Sequence, residues 1–165
     1  KDGVLITATG IAKHAAFPEG SVNAINVLAS FLLAEGLVNG DAKMVLEFIA
    51  ESLSDYEGKA LNIDFHDDLA GKISHTIAMI ELISKKMEMH FNVRYPASPS
   101  IDGDMLYERF MSYFNKPFLT KVSSKHCRPH AIDINHPVVD IFCDVSSEIL
   151  GQPLKPFAQA GGTYT

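Results

Sequence analysis

The sequence predicts an α+β fold, in which a ferredoxin-like βαββαβ sandwich over about residues 3–125 is followed by a helix–strand piece of a second domain. One observation is the order of the stretches, which runs strand, helix, helix, strand, strand, helix, strand. The other is the stretch 72–95, which has the alternation of apolar and polar residues that is typical of a β-hairpin. We expect the apolar face of this hairpin to form the core, and the helices to cover that face.

The first predicted elements are a strand and two helices. Residues 4–12 are rich in β-branched side chains and predict a strand, which ends at a loop that contains proline and glycine. A helix is predicted over residues 21–35 with Ser21 as its cap, and a second helix follows the next glycine-containing turn. Residues 55–69 are polar and irregular, which predicts a connection.

The hairpin, a third helix and a last strand complete the predicted sandwich. In the second arm of the hairpin the core-facing residues are Met87, Met89, Phe91 and Val93, and the polar face carries Glu88, His90, Asn92 and Arg94. The spacing of apolar residues predicts a helix over 101–114, and residues 118–124 predict a strand.

The remaining residues have the character of a separate piece. A helix is predicted to begin at residue 135 or 136, because Pro137 suits a first helical position, and to end at Gly151. A short strand is predicted over 154–159. We place the domain boundary between residues 126 and 133.

Composition argues against several classes of function. The net charge of −6 does not fit nucleic-acid binding, which depends on a basic surface. No apolar run reaches the roughly 18 to 20 residues that span a bilayer. The two cysteines, Cys127 and Cys143, fit neither a disulfide framework nor a CxxC motif. We therefore expect a cytoplasmic protein that binds neither nucleic acid nor membrane.

The most specific motif is the loop after the first predicted strand, where His14 opens the run HAAFPEGSVNAI. An isolated loop histidine usually only contacts nearby backbone. This run, however, resembles the lid-domain motif of the dinuclear metallopeptidases that include carnosinase, aminoacylase and succinyl-diaminopimelate desuccinylase, and most of all the PepV-type dipeptidases. The resemblance implies that His14 donates a hydrogen bond to the carbonyl oxygen of the scissile amide, where negative charge develops in the transition state. An imidazole on a loop suits that task.

A second motif is the run NVRYP, in which Arg94 ends the hairpin's second arm. An arginine on the polar face of a strand could simply be solvated. The run is similar to the end of a strand in the same family, and this resemblance implies that Arg94 binds the C-terminal carboxylate of a dipeptide, which a planar guanidinium holds through two hydrogen bonds.

A third motif is the run AGGTY near the end of the chain, which resembles the glycine-rich segment that the family uses against the same carboxylate. Glycine lets backbone N–H groups approach an anion closely. The resemblance makes Gly161, Gly162 and Thr163 candidate substrate-binding residues. Ala160 stands where the family most often has a further glycine.

The resemblance implies two zinc or manganese ions per active site in the parent protein, but we expect none to be held by this chain. The family's ligands include a Glu-Glu pair, and no such pair occurs in the sequence. Two groupings contain metal-binding residue types without an established ligand spacing. They are His126, Cys127, His130 and His136 on the one hand, and Asp64, His66, Asp67 and Asp68 on the other.

The sequence therefore predicts an internal piece of a longer metallo-dipeptidase, with both ends expected to be cuts. Residues 1–125 would belong to its lid domain, residues 126–165 to its catalytic domain, and the piece alone would be inactive. Its expected partners are a dipeptide substrate and the remainder of the catalytic domain. Two alternatives stay open: a ferredoxin-like binding or dimerisation module, with self-association of the chain, and the lid of a related N-acyl amino acid deacylase or desuccinylase.

Overall fold

The structure is a computed structural model that describes residues 3–68, 71–84, 86–97, 101–116 and 127–158. Within these ranges the chain forms four helices and two antiparallel two-stranded sheets, which confirms the α+β class. The helices are α1 (Ala24–Ala34), α2 (Gly40–Ser52), α3 (Gly103–Tyr113) and α4 (Pro137–Leu150). The strands are β1 (His66–Asp67), β2 (Gly71–Lys72), β3 (Ser74–Ile83) and β4 (Lys86–Arg94).

The ferredoxin-like order of elements is not reproduced within the described ranges, because the first predicted strand of the sandwich is not formed there. Residues 4–12 form no strand and contribute only an isolated bridge between Ile11 and Val22. Residues 154–158 are also without strand structure. A β-rich composition indicates a preference, but a strand forms only where a neighbouring strand pairs with it. The predicted strand 118–124 lies outside the described residues.

Helix α1 begins later than predicted because Asn23, and not Ser21, is its cap. The Asn23 side chain accepts a hydrogen bond from the backbone N–H of Ile25 at 2.9 Å. Val22 pairs with Ile11, so the backbone is still extended at that point and cannot already be helical at Ser21. The predicted end of the helix is confirmed, with the helix cap at Glu35.

The predicted hairpin is confirmed as the pair β3–β4. Ser74 lies opposite Arg94 at its open end, and a register shift follows Ile77. One face of the hairpin is apolar and is covered by helices, as the alternation predicted. Met87 is an exception among the predicted core residues: it lies near the turn of the hairpin, beyond the helices, and is 44% exposed.

Two clusters of buried residues pack against this apolar face. The first joins α1, α2, β3 and the end of α3, and consists of Ala29, Phe48, Ile49, Ile77 and Phe114. The second joins the connection after α2 to the beginning of α3, and consists of Leu61, Ile63, Ile73, Ile101 and Leu106. Burial of these side chains supplies the main driving force for the hairpin to pack against α1, α2 and α3.

The predicted helix near the end of the chain is confirmed as α4. His136 caps it, Pro137 occupies its first turn, and Gly151 ends it in the left-handed conformation at φ 66°. No residue of α4 is buried by the described part of the chain. Among the described helices none is long and apolar enough to cross a membrane.

Candidate functional site

The loop that carries His14 is closed at its base by two backbone hydrogen bonds. Ile11 and Val22 exchange them, with N to O distances of 2.9 and 3.0 Å. Gly10 lies just before this bridge, and a Cβ atom at that position would stand 2.1 Å from the carbonyl oxygen of Val22. The close approach of the two backbones therefore requires glycine at residue 10.

The imidazole of His14 is exposed, and its local contacts decide which nitrogen carries the proton. The backbone N–H of Ala16 donates to Nδ1 of His14 at 3.2 Å. Nδ1 is thus the acceptor, so the neutral ring carries its proton on Nε2. The ring also lies 6.0 Å, centroid to centroid, from the ring of Phe17. Nε2–H makes no hydrogen bond with the described residues, and it can donate to an acceptor that approaches from solvent.

The first strand of the hairpin holds this loop at Ala15 and at Asn23, where the chain enters α1. The Ser74 hydroxyl donates to the carbonyl oxygen of Ala15 at 2.7 Å. The Asn23 side-chain amide donates to the Thr76 hydroxyl at 3.0 Å and to the carbonyl oxygen of Ile77 at 3.1 Å. Sequence reasoning did not single out these two hydroxyl residues. Their period-two spacing, with the apolar Ile73 and Ile77 on either side, was the available signal, since such spacing indicates a polar face on β3.

Arg94 lies on that same face of the hairpin. It stands opposite Ser74, and side chains of directly opposite residues in an antiparallel pair project to the same side. Its Nε donates to Oδ1 of Asn92 at 3.0 Å, which orients the guanidinium. Among the described residues no carboxylate pairs with Arg94. The structure therefore brings Arg94 and the attachment of the His14 loop to one end and one face of the hairpin.

A cavity of about 210 Å³ lies beside the loop, lined among others by Phe17, Pro18, Glu57 and Lys72. The Nζ of Lys72 lies 2.6 Å from Oε1 of Glu57. This hydrogen bond is the main cause that lowers the pKa of Glu57 and raises the pKa of Lys72. Both groups are therefore charged at neutral pH. Lys72 is thus ion-paired with a carboxylate, whereas Arg94 has no carboxylate partner among the described residues.

The structure shows no contact between this site and the other candidate residues among those that it describes. Gly161, Gly162 and Thr163 lie outside the described residues, so their predicted contact with a carboxylate stays a prediction. In the groupings with metal-binding residue types, His66 and Asp68 approach each other at 3.4 Å. Across the described ranges, no group of three or more His, Cys, Asp or Glu side chains is arranged to hold a metal ion.

Comparison with known proteins gives no matching family model, but it does give similar curated proteins. The chain is 30% identical over 165 residues to a protein of Staphylococcus epidermidis that is provisionally named a dipeptidase, a match that covers 98% of this chain and 34% of that protein. It is 30% identical over 161 residues to the beta-Ala-Xaa dipeptidase of Lactobacillus delbrueckii subsp. lactis, covering 96% and 33%.

A third relative, from Bacillus subtilis, is also provisionally named a dipeptidase and is 24% identical over 162 residues, with 98% and 34% covered. The chain thus spans about a third of the length of the curated relatives it matches. The resemblance to dipeptidases that the sequence motifs indicated is confirmed by these relatives.

Proposed function

We propose that this chain is the lid portion of an enzyme that hydrolyses the peptide bond of dipeptides. The chain is similar to about a third of the length of proteins that are named dipeptidases. One observation carries the proposal. The His14 loop is anchored at the end of the hairpin where Arg94 lies, on the same face, and both side chains have donors that the described residues leave free. A dipeptide has a carbonyl oxygen and a carboxylate, which are acceptors of the kind that an imidazole N–H and a guanidinium bind.

His14 would stabilise the oxyanion in this reaction. The Ala16 amide fixes Nδ1 as an acceptor, so Nε2–H is the donor that remains for the substrate. A donor of this kind lowers the barrier when it is placed where charge develops in the transition state. The role needs no change in the tautomer that the structure already favours.

Arg94 would bind the C-terminal carboxylate. The hydrogen bond from its Nε to Asn92 leaves the terminal N–H groups of the guanidinium for the substrate. Charge-assisted hydrogen bonds from arginine to a carboxylate are shorter and stronger than neutral ones. Gly161, Gly162 and Thr163 would add backbone donors to the same carboxylate, in line with the motif that they form.

The described residues do not fit a dinuclear metal site, since they offer no set of three ligands. We propose that two zinc or manganese ions, which in such enzymes activate water and polarise the carbonyl, are bound by parts of the parent protein outside this chain. The chain alone would then be inactive. Its partners would be the dipeptide and the remainder of the catalytic domain, in a cytoplasmic protein.

The complete lid is proposed to be the ferredoxin-like sandwich, with residues 1–125 in the lid and residues 126–165 in the catalytic domain. The β3–β4 hairpin with α1, α2 and α3 over one face supports this arrangement. It requires residues 4–12 to pair with a strand edge in the complete protein.

A dimerisation module is the second candidate, and α4 is the observation that favours it. Among the described residues, its apolar side chains Ile141, Phe142 and Ile149 are 61%, 68% and 76% exposed. An apolar stripe of this size marks a surface that meets another protein surface. If the chain is part of a dipeptidase, the apolar stripe of α4 would instead pack against the remainder of the catalytic domain.

The test is a comparison of substrates with the full-length protein that contains this chain, supplied with zinc or manganese. The panel holds dipeptides, the same dipeptides with an amidated C-terminus, and N-acyl amino acids. We expect dipeptides with a free carboxylate to be cleaved fastest. Preference for N-acyl amino acids would favour a deacylase, and a protein that binds two metal ions but cleaves none of the panel would contradict an enzymatic role.

A further inference from the structure

We propose that Ser74 is a positioning residue, which together with Thr76 fixes the His14 loop to the strand that pairs with Arg94. The catalytic consequence of this attachment rests on the proposed function. The attachment itself is a property of the fold. Neither residue would touch the substrate; each would act through the loop.

The first point of attachment is next to His14 in the chain. Ser74 is only 6% exposed, and its hydroxyl donates to the carbonyl oxygen of Ala15 at 2.7 Å. Truncation of Ser74 would leave the half-buried carbonyl oxygen of Ala15 without its protein donor, which weakens the attachment. Ser74 therefore fixes the backbone of the residue that directly follows His14.

The second point of attachment is where the loop returns into α1. The side-chain amide of Asn23 donates to the Thr76 hydroxyl at 3.0 Å, while its oxygen accepts from the Ile25 amide at 2.9 Å. Asn23 is thus bound on one side to β3 and on the other to the first turn of the helix. With the Ile11–Val22 bridge at its base, the loop is attached on both sides of its proline turn.

Both attachment points lie on the face of the hairpin that carries the arginine. Ser74 is opposite Arg94 and Thr76 is opposite Asn92, and Asn92 accepts the hydrogen bond from Nε of Arg94 at 3.0 Å. The two hydroxyls that hold the His14 loop are therefore direct cross-strand neighbours of Arg94 and of the residue that orients its guanidinium. A substrate held at its carbonyl oxygen and its carboxylate needs two donors at a fixed separation, and small errors in such positions slow catalysis strongly. The hydroxyls of Ser74 and Thr76 would set the separation between the His14 and Arg94 donors.

The test compares Ser74→Ala with Ser74→Thr in the full-length protein. Threonine keeps the hydroxyl and suits a strand, whereas alanine removes the donor. Ser52→Ala is the matched control, because Ser52 is 0% exposed and its hydroxyl donates to the Phe48 carbonyl oxygen at 2.6 Å within α2. The contact of Ser52 with His75 of β3, at 2.7 Å, is made by its backbone oxygen, which the substitution keeps. We expect Ser74→Ala to lower kcat for dipeptides about 10- to 100-fold with KM changed about twofold at most. Ser74→Thr should restore most of kcat, and Ser52→Ala should leave it near the wild-type value.

A second readout, amide hydrogen exchange, does not depend on activity. The Phe17 amide donates to the carbonyl oxygen of His14 at 2.9 Å, so its exchange reports on the order of the loop. Ser74→Ala should speed this exchange about tenfold, and Ser52→Ala should not. Unchanged exchange, or a kcat equal to that of Ser52→Ala in an active enzyme, would overturn the proposal. If the wild type cleaves no dipeptide, the proposed function fails, and the exchange of Phe17 still decides whether Ser74 holds the loop.

Discussion

At the scale of single residues, Arg94 differs from Lys72 in having no carboxylate partner among the described residues. Lys72, by contrast, is paired with Glu57 at 2.6 Å. Within the described ranges, the side chain of Arg94 makes one hydrogen bond, from Nε to Oδ1 of Asn92 on its own strand. This difference makes Arg94, and not Lys72, the residue from which we expect carboxylate selectivity.

Arg94→Lys should raise KM for dipeptides by about tenfold or more, because an ammonium group cannot make the paired hydrogen bonds of a guanidinium. Dipeptide amides lack the carboxylate, so their slow hydrolysis should change little. Steady-state kinetics on matched acid and amide substrates measure both effects. An equal loss on acid and amide would show that Arg94 has a structural role only.

Gly10 is the residue at which the loop's backbone leaves no room for a side chain. In Gly10→Ala the new Cβ would stand 2.1 Å from the Val22 carbonyl oxygen, so the bridge at the base of the loop must open. We expect a loss of about 1–3 kcal/mol in the free energy of unfolding, measured by denaturant titration. Gly3→Ala is the control, since no atom lies within 4 Å of a Cβ at that position. Equal stability of the two variants would contradict the close approach.

At the scale of elements, the turn after α2 is organised by one carboxylate. Asp55 accepts hydrogen bonds from the backbone N–H groups of Glu57, Lys59 and Ala60 at 2.8, 3.1 and 3.1 Å. Burial alone would raise the pKa of Asp55, but the bonds from these backbone groups outweigh it and lower the pKa below 3.8. The turn leads into the segment that covers the second core cluster.

The lowered pKa of Asp55 gives a prediction for acid stability. Because the folded state favours the charged form, its stabilising contribution is complete above the ordinary value of 3.8 and is lost as the pH falls through the lower folded value. Asp55→Asn should therefore reduce the difference in unfolding free energy between neutral pH and about pH 3. Denaturant titrations of both proteins across that range measure it. If the unfolding free energy of the variant depends on pH as that of the wild type does, Asp55 does not contribute to acid stability.

The aromatic residues between α2, α3 and the hairpin hold these elements together. The Phe48 ring lies 5.3 Å from Tyr113, 5.5 Å from Phe114 and 6.5 Å from Phe91. Phe48→Ala should lower the free energy of unfolding by about 3–5 kcal/mol. Leu82→Ala on β3 is the control, because its side chain is 75% exposed among the described residues and its truncation should change stability by about 0.5 kcal/mol or less. Similar losses in both variants would contradict the placement of the core.

At the scale of the whole molecule, the elements that the sequence predicted well are those that local chemistry defines. Helix α4 has a proline in its first turn and Gly151 at its end, and the hairpin has an alternating pattern. The strand at residues 4–12 was predicted wrongly because pairing depends on a neighbouring edge, which composition does not contain.

The same limit applies to the candidate site. His14 and Arg94 were found through sequence motifs, since each lies in a short run that resembles a family pattern. Ser74 was missed because its hydrogen bond to Ala15 joins residues that are 59 positions apart, and only the folded hairpin brings them together. Asn23 belongs to the same run as His14, and its bonds to β3 and to the first turn of α1 show that it holds the loop in place.

The central claim is that Nε2–H of His14 donates to the substrate's carbonyl oxygen, and turnover of a dipeptide by the full-length protein tests it most directly. Wild type is compared with His14→Ala, which removes the donor, and with His14→Gln, which keeps one, while bound metal is quantified in each. The account predicts a loss of roughly 10²- to 10³-fold in kcat for His14→Ala with unchanged metal content, and a smaller loss for His14→Gln. Full turnover in His14→Ala, or a loss that follows the loss of metal, would contradict it.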